Sequence, residues 1–343
     1  MEDELKTRSK LAMTLVATTI ALAGGSAAVA QDFILKISSP APKTDVDGLS
    51  AWFDAFEAGV EKRSGGRIDV QLFPASQLGP IPTTVEGVVM GTIEMTVPII
   101  GFLSSVDPRF QVLDTPGLFD DELHVMRTMS DPAVKIMLSD FGARANVEPL
   151  FVLANGRTVI IAQDKITGPE GFDGLKLRTG GASPLVNEPM SALGAAPVAM
   201  PLGQVLPGIQ TGTIDAATLG LAVLVGFQFA DVASEATYLP GSFIMVGGLV
   251  NKDFLDAIGP DLEAIVREEA EAAKVAYAER LSNGIETLEG VWTAQGGTLT
   301  VMSPESAGAF SAAIDPIASG IIAENEQMSA DFEVLHSAAD RNR

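Results

Sequence analysis

The amino-acid sequence predicts an α/β protein built from two similar lobes. Three observations carry this: strand-like and helix-like segments alternate early in the chain, one short motif recurs in its second half, and 343 residues suit about two domains at ~150 residues each. Phe33 to Ser38 reads as a strand, broken by the loop Ser39-Pro40-Ala41-Pro42. Asp45 or Asp47 then caps a helix in which Leu49, Trp52, Phe53, Phe56 and Val60 follow helical spacing, and Gly65-Gly66 stops it. Ile68, Val70 and Leu72 alternate with Arg67, Asp69 and Gln71, the pattern of a half-buried strand. Thr83 to Met90 predicts a second helix ending at Gly91, after which Ile93, Met95 and Val97 begin a third strand. This β-α-β-α-β order predicts a largely parallel sheet with helices on both faces.

Gly91-Thr92-Ile93-Glu94 recurs as Gly212-Thr213-Ile214-Asp215, each time after a helical stretch. The echo points to two similar lobes, although a glycine feeding a strand is also a common αβ connection. Pro260 to Glu289 is rich in Ala, Glu, Lys and Arg and reads as one long helix able to brace both lobes. Gly296-Gly297 ends that region, Leu299 to Met302 predicts a short strand, and the remainder to Arg343 reads as helical or frayed.

The N-terminus reads as an export signal. Lys6, Arg8 and Lys10 form a basic segment, Leu11 to Ala23 an apolar one, and Ala28-Val29-Ala30 before Gln31 matches a small-residue cleavage site. The apolar stretch is well short of the ~20 residues that span a bilayer. Cleavage after about Ala30 and a periplasmic location are the expectations, with Glu2-Asp3-Glu4 an unusual acidic start. The chain has no cysteine, so packing has to supply the stability that disulfides give many exported proteins. The basic and acidic residues of the signal cancel, so the mature chain keeps the formal charge of −22. That charge opposes encounter with nucleic acid and with anionic membrane surfaces. Any anion must therefore be held by local, buried cations, drawn from 22 Lys and Arg.

Catalytic and metal patterns find little support. His124 and His336 are the only histidines, and no G-x-S-x-G elbow places a nucleophile. His124 lies in a helix-like stretch, where it reads as a surface or packed residue. There is no H-E-x-x-H, calcium-loop or phosphate-loop pattern, and no cofactor is expected. Arginine is more informative, because its planar fork matches a carboxylate through two charge-assisted bonds. Gly174-Leu175-Lys176-Leu177-Arg178-Thr179-Gly180-Gly181 is a short strand running into a glycine pair. Arg178 is thereby placed at the carboxyl end of a strand, where open α/β sheets bind ligands. Arg157 also enters an apolar strand, within Asn155-Gly156-Arg157-Thr158. Taken singly, either arginine serves as well in a surface ion pair.

Several motifs in order resemble one family. They are Phe73-Pro74-Ala75-Ser76-Gln77-Leu78-Gly79, Gly91-Thr92-Ile93-Glu94-Met95 and Gly174-Leu175-Lys176-Leu177-Arg178. Gly194 to Met200, leading to Ile209-Gln210-Thr211-Gly212-Thr213-Ile214-Asp215, and Asn251-Lys252 before a helix complete the set. Over roughly Phe33 to Met302 the chain resembles the solute-binding proteins of tripartite ATP-independent periplasmic (TRAP) transporters, which include binders of C4-dicarboxylates and sialic acid. The resemblance implies a two-lobe periplasmic-binding-protein fold with a hinged cleft, crossing strands and a long helix bracing both lobes. Lobe I is expected at 31–155 and 244–284, lobe II at 156–243 and 285–320, and a C-terminal helix or tail at 321–343. It further implies that Arg178 grips a ligand carboxylate, that Arg157 is the second family arginine, and that a monomer hands the ligand to membrane permease subunits.

Departures from the family pattern narrow the ligand. Leu219 stands where many members carry a ligand-contacting asparagine, Leu202 where many carry an aromatic, and Pro98-Ile99-Ile100-Gly101-Phe102 is wholly apolar. Ile99, Phe102, Leu202 and Leu219, with Gln77 of the first motif, are accordingly placed at the cleft beside the two arginines. A polyhydroxylated ligand there would leave hydroxyls unpaired at ~1 to 3 kcal/mol each. The expected ligand is a small organic acid with an apolar body, such as an aromatic, branched or 2-oxo acid. A secreted hydrolase using a carboxylate pair in the cleft, and a receptor that signals instead of feeding a transporter, are the alternatives. The reach of Phe243, Tyr238 and the Ser39 to Pro42 loop toward the ligand is left open.

Overall fold

The computed structural model describes residues 32–343, and the expected export signal lies outside the described residues. β1 (Phe33–Ser38), α1 (Gly48–Ser64), β2 (Ile68–Phe73), α2 (Ile81–Val89) and β3 (Met95–Thr96) follow the predicted order. β1 lies between β2 and β3 and is parallel to both. Asp47, rather than Asp45, caps α1, accepting hydrogen bonds from the Ser50 N–H and hydroxyl at 2.8 and 2.7 Å. The third predicted strand shrinks to two residues, because Ile93 and Glu94 are taken up by the turn that ends α2.

Two 3-10 segments (Ile100–Ser105 and Pro108–Asp114), α3 (Glu122–Met129) and α4 (Pro132–Leu138) lead into β4 (Val147–Ala162). A second α/β unit follows: β5 (Lys176–Thr179), α5 (Pro184–Ala192), β6 (Ala196–Ala199), α6 (Val205–Gln210), β7 (Ala216–Gly220) and α7 (Leu221–Gly226). β8 (Glu235–Asn251) returns the chain to the first unit, followed by α8 (Lys252–Ile258), α9 (Pro260–Ala272), α10 (Lys274–Ala294), β9 (Thr298–Val301), α11 (Pro304–Ala323) and α12 (Glu326–Arg341).

The sheet order is β2-β1-β3-β8-β4-β7-β5-β6, with β9 pairing β8. It is parallel within its two ends and where β9 joins β8. β4 and β8, of 16 and 17 residues, run antiparallel to each other from one unit into the other, and β3 and β7 pair antiparallel to them. The expected parallel pairing holds within each α/β unit, and the antiparallel centre makes the whole sheet mixed. Most of β4 and β8 is buried, so neither shows the period-two alternation that marks a half-exposed strand. The predicted long helix over Pro260–Glu289 is corrected to two, α9 and α10, parted at Ala273. The junction coincides with Lys274, which is buried and turns back to Glu271 at 2.8 Å. α10 still braces the molecule, packing on α1 at one end and α7 at the other.

The sequence echo is a structural one. Gly91 and Gly212 end α2 and α6 with φ of 72° and 70°. The next two N–H groups donate to Gly87 O in the first case and Gly208 O in the second. Glu94 then accepts from the Lys36 N–H of β1, and Asp215 from the Lys176 N–H of β5. The two lysine ammoniums donate to Thr92 O and Gly212 O. Two cores flank each half of the sheet, the first pair around Trp52, Phe56, Phe110 and Phe141, the second around Trp292, Phe229, Phe172 and Phe310. α12 packs on the first half through Met328, Leu335, Ala338 and Ala339.

Asn251, where β8 meets α8, joins several elements. Its Oδ1 caps α8 through Phe254 N–H at 2.9 Å and its Nδ2 donates to Val88 O of α2 at 2.8 Å. Asn251→Ala removes a cap worth ~1 kcal/mol and one hydrogen bond to Val88 O worth ~1 kcal/mol, although that carbonyl keeps the Gly91 N–H. A loss of about 1 to 2 kcal/mol in urea unfolding of the whole chain is expected.

Candidate ligand-binding site

β5 is hydrogen-bonded on both sides, to β6 and β7, so the base of Arg178 is fixed. Leu177 faces the core behind the sheet, and strand alternation sends Arg178 the other way. The whole side chain is buried, at 0% exposure. Nε donates to Met200 O and Nη1 to Thr218 O, both at 3.0 Å, whereas Nη2 is buried with no hydrogen-bond partner. Burial alone pushes the guanidinium pKa down to about 10, which leaves it charged at neutral pH. The fold thus holds a dry cation oriented by two carbonyls and neutralised by neither.

The glycines after Arg178 bring the two halves of the molecule together. A Cβ on Gly181 would stand 2.6 Å from Gly101 C, and one on Gly101 would stand 2.8 Å from Gly180 O. Gly181 also has φ of 135°, which L side chains rarely adopt. Ile99 packs against Gly180 here.

Three cavities adjoin this contact and a further chamber lies beyond them. Ile99, Leu202 and Leu219 meet in one small, mainly apolar pocket, closed by Ser39, Pro40 and Ala41. The Pro74–Gly79 turn supports that rim, since Ala75 and Ser76 donate to Ala41 O and Ser39 O. Gln77 itself is exposed and lines none of the described cavities, so the structure places it in the scaffold of the cleft and not on its wall. Phe102 faces a different cavity with Ala182, Met200 and Pro201.

The third cavity, of ≈ 90 Å³, shares Ile99 and Ile244 with the first and is lined by Gly180, Thr158, Thr218, Phe243 and Asp114. Asp114 was not singled out from the sequence. Its Oδ2 is buried without a hydrogen-bond partner, and burial alone raises its pKa to about 8. The available signal was one acidic residue inside the apolar run from Phe110 to Phe119.

Arg157 is not brought to Arg178. It lies in the further chamber with Glu122 and Tyr238, its guanidinium 4.2 Å from the Tyr238 ring centroid. Tyr238 donates in turn to Glu289 at 2.9 Å. Gly156, at φ 89°, sits where the β4–β8 register shifts, which turns Arg157 toward α10. Asn155 lines both this chamber and the apolar pocket. His124 is a packed residue: Nδ1 accepts from Asp120 N–H at 3.1 Å, so by the network Nε2 carries the proton toward Ala339 O at 2.8 Å.

Residues 37–325 match the family described as DctP, bacterial extracellular solute-binding protein, family 7. The chain belongs to this family. It is 29% identical over 280 residues, 81% of each chain, to the C4-dicarboxylate-binding periplasmic protein DctP of Rhodobacter capsulatus. It is 27% identical over 229 residues, 66% of each chain, to the ectoine-binding periplasmic protein TeaA of Halomonas elongata. A TRAP periplasmic solute-binding protein of Desulfovibrio salexigens, solved with orotic acid, shares its fold at a TM-score of 0.83 and 19% identity, over 90% of this chain and 99% of that one. One from Shewanella oneidensis with bound succinate aligns at 0.80 and 21% identity, over 90% and 99% of the two chains. The family-7 protein described here is thus a TRAP-type solute-binding receptor with the two-lobe fold, and its relatives are periplasmic. Such receptors bind small organic acids and work with membrane permease subunits.

Asp114 makes the ligand-free receptor sensitive to pH. An unfolded aspartate ionises near 3.9, whereas the buried one ionises near 8. Between those values the folded chain holds the extra proton, so stability falls as pH rises, by up to about 1.4 kcal/mol per unit, and the penalty is complete above the folded pKa. The difference in urea stability between Asp114→Asn and its parent is expected to grow in the variant's favour from pH 4 to pH 8. An unchanging difference would show that the carboxyl ionises without cost.

Proposed function

We propose that this receptor captures a small organic acid with one carboxylate on Arg178 and an apolar body in the pocket of Ile99, Leu202 and Leu219. The observation that carries the reading is the unpartnered, buried Nη2 of Arg178. An anion placed there completes the hydrogen bonding of a dry guanidinium, and each charge-assisted bond is worth about 1.5 to 3 kcal/mol. The apolar wall adds ~25 cal/mol per Å² covered and offers hydroxyls little in return.

The lobes we assign to 31–155 with 244–284, and to 156–243 with 285–320, close on the ligand because both contact it only when closed, so binding shifts that equilibrium. The 321–343 segment belongs with the first lobe, against which α12 packs. Export with cleavage after about Ala30 and action as a monomer complete the proposal. Arg157, held over Tyr238, acts from the neighbouring chamber as a cation near the mouth of the cleft.

Calorimetric titration with 4-methylpentanoate, 4-methyl-2-oxopentanoate, phenylacetate, succinate and sialic acid tests the reading. The apolar monocarboxylates are expected to bind tightest, and Arg178→Ala to weaken them by about a hundredfold, the equivalent of two charge-assisted bonds. Arg178→Lys keeps the charge, guards against simple misfolding, and should still lose about tenfold because the fork is gone. Preference for succinate or sialic acid would remove the apolar body from the proposal. Undiminished affinity in folded Arg178 variants would remove the clamp.

A further inference from the structure

The chamber beside the apolar pocket holds one ionisable side chain, Asp114, whose Oδ2 is buried without a hydrogen-bond partner. The other polar side chains on its wall are largely committed. Thr115 donates to Val112 O, Thr218 to Arg178 O and Ser242 to Pro240 O. No lysine, arginine or histidine lines the chamber. A buried carboxyl without a donor is a costly feature to retain. Here it is aimed into a space formed by both halves of the molecule, with Leu113 and Phe119 on one side and Gly180, Leu185 and Met190 on the other.

This carboxyl and the Arg178 fork lie on either side of the Gly101–Gly180 contact. The Cβ position of Gly101 is 3.5 Å from Asp114 Oδ2 and 2.8 Å from Gly180 O, and the Cβ position of Gly180 is 3.9 Å from Arg178 Nη1. Ile99 and Ile244 form the partition, lining the Asp114 chamber on one side and the apolar pocket on the other. Near this contact the protein therefore holds a guanidinium whose Nη2 is unbonded, a carboxyl oxygen without a partner and an apolar pocket, although Arg178 itself lines none of the described chambers. A single tetrahedral carbon bearing a carboxylate, an amino group and an apolar side chain addresses all three.

We propose that the ligand is an amino acid with an apolar side chain, its carboxylate on Arg178 and its amino nitrogen on Asp114. This rests on the reading of Arg178 as the carboxylate clamp and extends it to the second polar group. The charges also suit the site: the ligand carboxylate meets the guanidinium and its ammonium favours Asp114 as a carboxylate, whereas a simple acid does only the first. Asp114 is in this view a specificity residue, rejecting acids of the same shape that bring no donor.

The test uses the mature chain and ligands that share one carbon skeleton: leucine, 3-amino-4-methylpentanoate, 4-methyl-2-oxopentanoate and 4-methylpentanoate. One of the two amino acids is expected to bind at least tenfold tighter than the deaminated and oxo acids. Asp114→Asn and Asp114→Leu should each erase that preference, weakening the amino acid tenfold or more while leaving 4-methylpentanoate unchanged or tighter. Equal or tighter binding of the oxo or deaminated acid by the parent chain would overturn the proposal while sparing the clamp. So would equal loss of all four ligands in both variants. Binding of an amino acid that Arg178→Lys and Arg178→Ala leave intact would overturn the clamp itself, and absence of binding by all four would overturn both.

Discussion

The arrangement depends on a charged guanidinium held out of water. Arg178 keeps its charge at 0% exposure with backbone carbonyls bonded to two of its three nitrogens and nothing bonded to the third. Carbonyl dipoles orient a cation without cancelling it, so the remaining field is available to an anion where water does not screen it. Met200 O lies just ahead of Leu202, and Thr218 O just ahead of Leu219. The same two segments that steer the guanidinium therefore also carry the apolar wall. Register errors in β7 would misplace both together.

The repeated α/β unit explains how such a precise site is built from short strands. In each half a glycine in the left-handed region ends a helix, and an acidic side chain three residues on holds the first strand of the unit through its backbone N–H and its lysine. β3 and β7 are consequently locked beside β1 and β5. The long strands β4 and β8 then tie the units together, and their register shifts around Gly156 lie where the chain passes from one unit to the other. The bulge has a cost for sequence-based inference, because it redirects Arg157 into the chamber of Glu122 and Tyr238.

What was legible in the sequence follows from what each signal measures. Half-buried elements such as β1, α1 and β2 show clean periodicity, and Asp47 and Gly91 carry cap chemistry that a sequence displays directly. β4 and β8 show neither alternation nor caps, so their antiparallel path was invisible to pattern and entered only through family resemblance. Of the residues expected at the cleft, Ile99, Leu202 and Leu219 share one pocket, while Arg178 lies buried behind Gly180 and lines none of the described cavities. Gln77, by contrast, belongs to a turn whose backbone supports the Ser39–Ala41 rim, so its motif reports architecture. Asp114 escaped notice because 44 acidic residues make any single one unremarkable until burial is known.

The acidity of the chain bears on how discrimination arises. Elsewhere arginines are spent in ion pairs with several carboxylates, as Arg109 is with Asp107 and Asp140, and Arg267 with Glu148 and Glu263. Arg178 alone among these is surrounded by carbonyls and hydrocarbon. A surface of net charge −22 repels anions at long range, and that repulsion is screened over ~8 to 10 Å at ordinary salt. Inside the closed cleft the balance reverses, because a charge deprived of water interacts strongly only with what touches it. Long-range charge thus sets how readily a solute approaches. On the proposed reading, which solute stays is decided by the few unpaired groups near the Gly101–Gly181 contact, where two backbones approach as closely as the absence of side chains allows.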